Sequence, residues 1–293
     1  MRRFIFGTDW WTDCDDAVAL RILARHAKAG KVEMLGVCLN ACMEYSIASI
    51  KGFLKNEGFE NFPIGVDIDA NDFGGNPPYQ KRLAETLGAD VNCDAEHAVR
   101  YYRRILATST EKVEMIEVGY LQVVAGLLKS QGDDISTKSG AELVREKVSK
   151  LWIMAGKWDA DGEKENNFCR NARSRLAGSE LCGLCHVPIT FLGFEVGFGV
   201  ISGDKLDHSD VLYRVLEDHG SAAGRHSWDP MTVVLALIGD EEKAGYDTVV
   251  GYASVDPESG ENRFVRDESG KHRFVVKKYP NEYYADQINY LIQ

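Results

Sequence analysis

Four aspartates stand within eight positions near the start of the chain: Asp9, Asp13, Asp15 and Asp16, in GTDWWTDCDDAVALRILA. Carboxylates gathered this closely repel one another unless something offsets their charge. The apolar run before them, RRFIFGT, reads as a strand, and the stretch from about Asp15 reads as a helix. One or two of the acids suit the helix N-terminus, where free N–H groups and the dipole favour acidic side chains by about 0.3–1 kcal/mol each. Four exceed what capping needs. The sharper reading is a hard cation: Ca²⁺ takes about six to eight oxygen ligands, and Mg²⁺ takes fewer and keeps more water.

The elements that would position these acids follow from the alternation of short apolar runs with longer amphipathic stretches. Residues 2–8, 32–39, 62–68, 113–119, 150–156 and 187–194 read as strands. Residues 15–29, 44–57, 94–107, 121–129 and 171–182 read as helices between them, and a further helix follows Asp229. Such alternation predicts an α/β fold with an open, mostly parallel central sheet flanked by helices, a Rossmann-like core. Residues 247–278 alternate in strand fashion around an ESGK turn, predicting a small antiparallel excursion, and 280–291 a final helix. No repeat or linker divides the chain, so residues 1–293 are expected to form one domain. Ligands of open α/β sheets sit beyond the carboxyl ends of the strands. Those ends carry Asp9, Asn40, Asp67, Asp69, Gly119, Gly156 and Glu195.

At TDWWTDCDDAVAL the chain resembles the inosine-uridine preferring nucleoside hydrolase family, in the branch whose motif carries two extra residues, TD-x-x-x-D-x-DDA-x-AL. The resemblance recurs in order along residues 3–238: VEMLGVCLNACME, VGYLQVVAGLL, KLWIMAGKW with EKENNFCRNARSRLA, VPITFLGF, and GRHSWDPMTVVLAL. It implies a nucleoside hydrolase-like fold and a Ca²⁺-dependent cleavage of N-ribosyl bonds, with a nucleoside or related ribosyl compound as substrate. It also implies a homo-oligomer, a dimer or tetramer. Asp9 matches a metal ligand that also takes the proton of the attacking water. Asp16 and Asp229 match carboxylate ligands, and Gln122 falls where the family supplies a main-chain carbonyl to the ion. Asp15 matches the group on the ribose 2′-hydroxyl, with Asn40 beside the cluster. Glu165 and Asn167 match groups holding ribose hydroxyls, and Asp159 falls near a position serving the 5′-hydroxyl.

The chemistry explains why such residues would be needed. Cleavage by water passes through an oxocarbenium-like sugar, which calls for an oriented nucleophile, carboxylates near the cationic ring and protonation of the departing base. The last requirement is where the sequence departs from the family. Trp228 stands where many members have a histidine before the last aspartate, and indole is no acid at neutral pH. His226 is a candidate substitute. The segment NDFGGNPPYQ lacks the family's His-Gly pattern; it reads as a loop over the site, with Tyr79 available to stack on a base. Trp10 and Trp11 are candidates for the pocket or for plain packing.

Composition excludes other classes. With 34 basic and 45 acidic residues the net charge is −11, which repels phosphate backbones and argues against nucleic acid. No apolar run approaches the roughly 20 residues of a membrane span. Seven cysteines without an export signal suggest reduced thiols and a cytoplasmic setting. CGLCH at 182–186 has haem-attachment spacing but sits where a helix yields to a strand; zinc would need further ligands. A phosphatase of the haloacid-dehalogenase type would need an aspartate at position 11, which is tryptophan. Two alternatives remain: a hydrolase of another ribosyl compound, and a ribosyl-binding homologue without activity.

Overall fold

The alternation of apolar side chains in the first strand already sets two layers. In the computed structural model, which describes Met1–Gln293, β1 (Arg3–Thr8) sends Phe4 and Phe6 into one core and Ile5 into another. Period-two alternation does this in every buried strand, since successive side chains leave opposite faces. The chain continues through α1 (Asp15–Lys28), β2 (Glu33–Leu39), α2 (Ser46–Asn56), β3 (Ile64–Val66) and α3 (Pro78–Thr86). Next come β4 (Glu96–His97), α4 (Ala98–Thr108), β5 (Val113–Glu117), α5 (Gln122–Lys129) and α6 (Gly140–Lys147). Then follow β6 (Val148–Met154), β7 (Glu163–Lys164), α7 (Asn166–Cys169), α8 (Ala172–Leu184), β8 (Ile189–Leu192) and α9 (Phe194–Gly197). The last third holds β9 (Ile201–Ser202), α10 (Val211–His219), β10 (Arg225–His226) and α11 (Trp228–Ile238). It closes with β11 (Tyr246–Val255), β12 (Glu261–Arg266), β13 (His272–Lys277) and α12 (Asn281–Ile292).

Eleven strands form one sheet in the order β4-β3-β2-β1-β5-β6-β8-β13-β11-β12-β7. Every pair from β4 to β13 is parallel, and β11, β12 and β7 pair antiparallel. Helices α1, α2, α10, α11 and α12 cover one face, and α4, α5, α6 and α8 the other. The expected open, mostly parallel sheet with an antiparallel excursion is therefore present. The strand order reverses at β1, whose two neighbours are β2 and β5. That switch point is where loops diverge and leave a crevice at the carboxyl edge.

Several boundaries differ from the sequence reading for physical reasons. Helix α3 lies partly in a segment read as loop; Pro78 stands at its first turn, where a missing N–H costs nothing. Helices α6 and α10 were not anticipated, although Ser139 and Glu142 make a capping box at the first and Asp210 caps the second. The ESGK turn does not join a simple hairpin. β12 and β13 pair with opposite edges of β11, both reaching Gly251, so the chain crosses β11 there. A Cβ on Gly270 would collide with the Gly251 main chain, so the crossing requires glycine.

Candidate active site

The switch point places the first acidic motif at the floor of a cavity of about 360 Å³, a size suited to a small polar ligand. β1 ends at Thr8, and Asp9 follows it directly. The turn to α1 is tight: Trp10 and Thr12 adopt left-handed backbone angles, φ 50° and 59°. Such conformations cost free energy in non-glycine residues and persist where the surroundings fix them. Here the turn aims successive amides at two carboxylates. The Trp10 N–H donates to Asp16 Oδ1 at 3.2 Å and the Trp11 N–H to Asp9 Oδ1 at 3.0 Å. The Thr8 hydroxyl also donates to Asp16 Oδ1. Trp10 itself is core, its indole N–H bound to Ser49 Oγ at 2.9 Å.

Helix α11 packs against α1 and brings Asp229 to the same floor; its N–H donates to Asp15 Oδ2 at 3.1 Å. Asp15, Asp16 and Asp229 each offer an oxygen within 4.8 Å of the others, and all three are buried. Burial, then mutual repulsion, raises the pKa values of Asp9, Asp15, Asp16 and Asp229 well above the usual carboxylate range. Arg225 relieves only Asp15, and only in part, because its Nε and Nη2 are paired with Asp13 at 2.6–3.2 Å. That pairing outweighs burial and holds the Asp13 carboxyl below its ordinary value. A buried set of oxygen donors without its own counter-charge fits a hard divalent cation.

Further donors close the floor. Glu165 caps α7, its Oε1 accepting from Asn167 N and its Oε2 from Gly156 N, both at 2.9 Å. Burial pushes its pKa up to about 7. Asn167 ties the ends of β5 and β6 together by donating Nδ2 to Val118 O and Met154 O at 3.1 and 2.9 Å. Asn40 accepts the Tyr120 N–H at 2.9 Å, while its Nδ2 is buried without an acceptor. Gly119 makes this closeness possible: a Cβ there would press on the Asp9 amide and lie 2.5 Å from Asn40 Oδ1. Beneath the site Glu117 accepts the Tyr102 hydroxyl at 2.9 Å, its other oxygen unpaired. Burial carries its pKa up to about 8.

Other expected residues lie elsewhere. Gln122 opens α5 and directs its side-chain Nε2 to Asn40 O and to Asp67 Oδ2, and from the turn after β5 Val118 lines the cavity. Asp159 is exposed and paired with Lys157 at 3.1 Å, outside the cavity. Tyr79 is fully buried, its hydroxyl bound to Asp13 O at 2.8 Å and its ring edge-on to Trp10, so it has no face for a base. Helix α3 turned it inward. His226 does not line the cavity: its Nδ1 accepts the Gly199 N–H at 2.9 Å and its ring stacks on Phe198. Burial and then Arg225 lower its pKa, so less of it is protonated near neutral pH, against a role as an acid. Trp228 does line the cavity, with its indole N–H committed to Phe194 O at 2.8 Å. The mouth adds residues the sequence reading did not single out, chiefly Asn166, Arg170, Phe194 and Arg225. They come from three separate segments, and no local spacing signals their convergence.

No protein-family model matches the chain, and no curated protein sequence does. Solved structures match over nearly the full length. An inosine-uridine preferring nucleoside hydrolase from Bacillus anthracis superposes with a TM-score of 0.67 at 16% identity, covering 100% of this chain and 99% of that one. A plant nucleoside hydrolase, PpNRh1, gives 0.75 at 13% identity, covering 99% and 98%. The type III effector XopQ, in complex with adenosine diphosphate ribose, gives 0.70 at 17% identity, covering 99% and 93%. The fold is nucleoside hydrolase-like.

Proposed function

We propose that the protein is a Ca²⁺-dependent N-ribohydrolase, cleaving the bond between ribose and a heterocyclic base by direct attack of water. The observation that carries this reading is the buried convergence of Asp15, Asp16 and Asp229 beside Asp9 at the switch point of the sheet. Asp9, Asp16 and Asp229 would hold the cation, with Asp15 facing the ribose 2′-hydroxyl. When bound, a hard divalent cation supplies charge that acidifies water and orients vicinal hydroxyls. Asp9 takes the proton of the attacking water. Asn167 and Glu165, which line the cavity, hold the sugar, while Asn40, its Nδ2 unpaired, is buried beside the cluster and does not line the cavity. The surrounding carboxylates favour the positive charge that develops on the ring. A cytoplasmic setting and a homo-oligomeric assembly belong to the same reading; no helix is long and apolar enough to cross a membrane.

A second reading, a ribosyl-binding protein without turnover, draws on the leaving-group side. No histidine, lysine, tyrosine or cysteine lines the cavity, and XopQ is a neighbour in fold whose structure holds adenosine diphosphate ribose. A reducing-sugar assay on a panel of purine and pyrimidine nucleosides, with and without chelator, separates the two. Hydrolysis predicts ribose release that chelator stops and Ca²⁺ restores. Release from no substrate, together with Ca²⁺-dependent ribose binding, would leave the second reading.

A further inference from the structure

The cavity mouth carries two guanidinium groups in a molecule whose net charge is −11. Each is seated on a tryptophan. The Arg170 Cζ lies 4.8 Å from the Trp11 ring centroid, and the Arg225 Cζ 5.5 Å from that of Trp228. Both platforms are themselves fixed, Trp11 through its indole N–H to Gly75 O at 2.7 Å and Trp228 through its own to Phe194 O. Stacking and anchoring of this kind hold the charges in place before any ligand arrives.

Their hydrogen-bonding capacity is only partly used. Arg170 gives Nη2 to Phe73 O at 2.8 Å and has no carboxylate partner, which leaves Nε and Nη1. Arg225 gives Nε and Nη2 to Asp13 and retains Nη1. The floor contributes acceptors suited to a cation and to sugar hydroxyls, none of which calls for a guanidinium at the rim. A neutral nucleoside offers those remaining donors no charged acceptor. An anionic group does, and charge-assisted bonds from arginine are the stronger kind.

We propose that Arg170 and Arg225 recognise a negative charge carried by the substrate outside its ribose ring, so that the site takes anionic ribosyl compounds in preference to neutral nucleosides. This rests on the ribosyl reading of the floor. The charge has two chemical sources, a phosphate on the ribose 5′-oxygen or an acidic group on the heterocycle, and both present oxygens to the same fork.

The test uses the Ca²⁺-loaded protein with uridine, uridine 5′-monophosphate and orotidine, whose base carries a carboxylate. One of the two anions is expected to exceed uridine in kcat/KM by about tenfold or more. That advantage shrinks as salt is raised. Arg170→Gln and Arg225→Gln each lower the anion-to-uridine ratio toward one, and Arg170→Lys restores part of it. Which anion gains identifies the source. Titration calorimetry with the same three compounds reads the same ratio in Kd, so absent turnover sinks the hydrolase while leaving the charge preference measurable. Equal or better handling of uridine, or a ratio unchanged in both glutamine variants, overturns the proposal. Binding of none of the three overturns it together with the ribosyl reading.

Discussion

Asp9 and Asp229 sit on one floor but have different work in the proposed chemistry, and single substitutions separate them. Asp9→Asn keeps the shape and the acceptor for the Trp11 N–H while removing the base. Turnover should fall by at least about a hundredfold, with cation binding weakened less than in Asp229→Ala, which removes a ligand outright. Steady-state rates and calorimetric Ca²⁺ titration of both variants check this; full activity in Asp9→Asn would sink the assignment of the base. Glu117 gives a prediction about stability instead. The folded chain keeps its proton up to about pH 8, against an ordinary value of 4.5, so between these limits the folded state binds more protons than the unfolded. Stability from this group is therefore present at low pH and is lost as pH rises toward 8. Glu117→Gln keeps an acceptor for Tyr102 and cannot ionise. Denaturant melts from pH 5 to 9 should show a flatter profile for the variant, and equal slopes would show that Glu117 does not titrate in this window.

Among the elements, the end of β5 most constrains the site. Gly119 lets the chain pass beside Asp9 and Asn40 with no room for a side chain. Gly119→Ala should cost about 1–3 kcal/mol through overpacking. Displacing Asp9 by even a fraction of an ångström should also lower kcat, by up to about a hundredfold. Melting and kinetics on the same preparation distinguish the two effects; an active, unchanged Gly119→Ala would mean that the strand end is looser than its contacts indicate. The same elements show what was legible beforehand. The strand ends and the aspartate motif could be read because a parallel sheet demands buried apolar runs and because four carboxylates at one strand-to-helix turn exceed what capping needs. Tyr79, Asp159 and His226 could not be placed, because their directions depend on the start of α3 and on turns whose shape is set by tertiary packing. Arg170 and Arg225 lie 55 positions apart and meet at the cavity only through the fold.

On the scale of the whole molecule the acidic surplus has two components. Most of the −11 is dispersed over the surface, where even the acids that find a basic partner contribute little individually. The floor is different, since four buried carboxylates with raised pKa values oppose one another. Folding assembles this repulsion, and a cation that binds only the assembled floor offsets it. Calcium should therefore stabilise the folded protein, by about 2.7 kcal/mol at a hundredfold excess over its Kd. For a chain of this size that corresponds to a rise in Tm of roughly 5 °C. Because protons compete for the same oxygens, the rise should shrink as pH falls. Calorimetric scans with calcium, and with sodium chloride at matched ionic strength, check the effect. An equal rise in Asp229→Ala would place the calcium elsewhere on the acidic surface and remove the floor as the cation site.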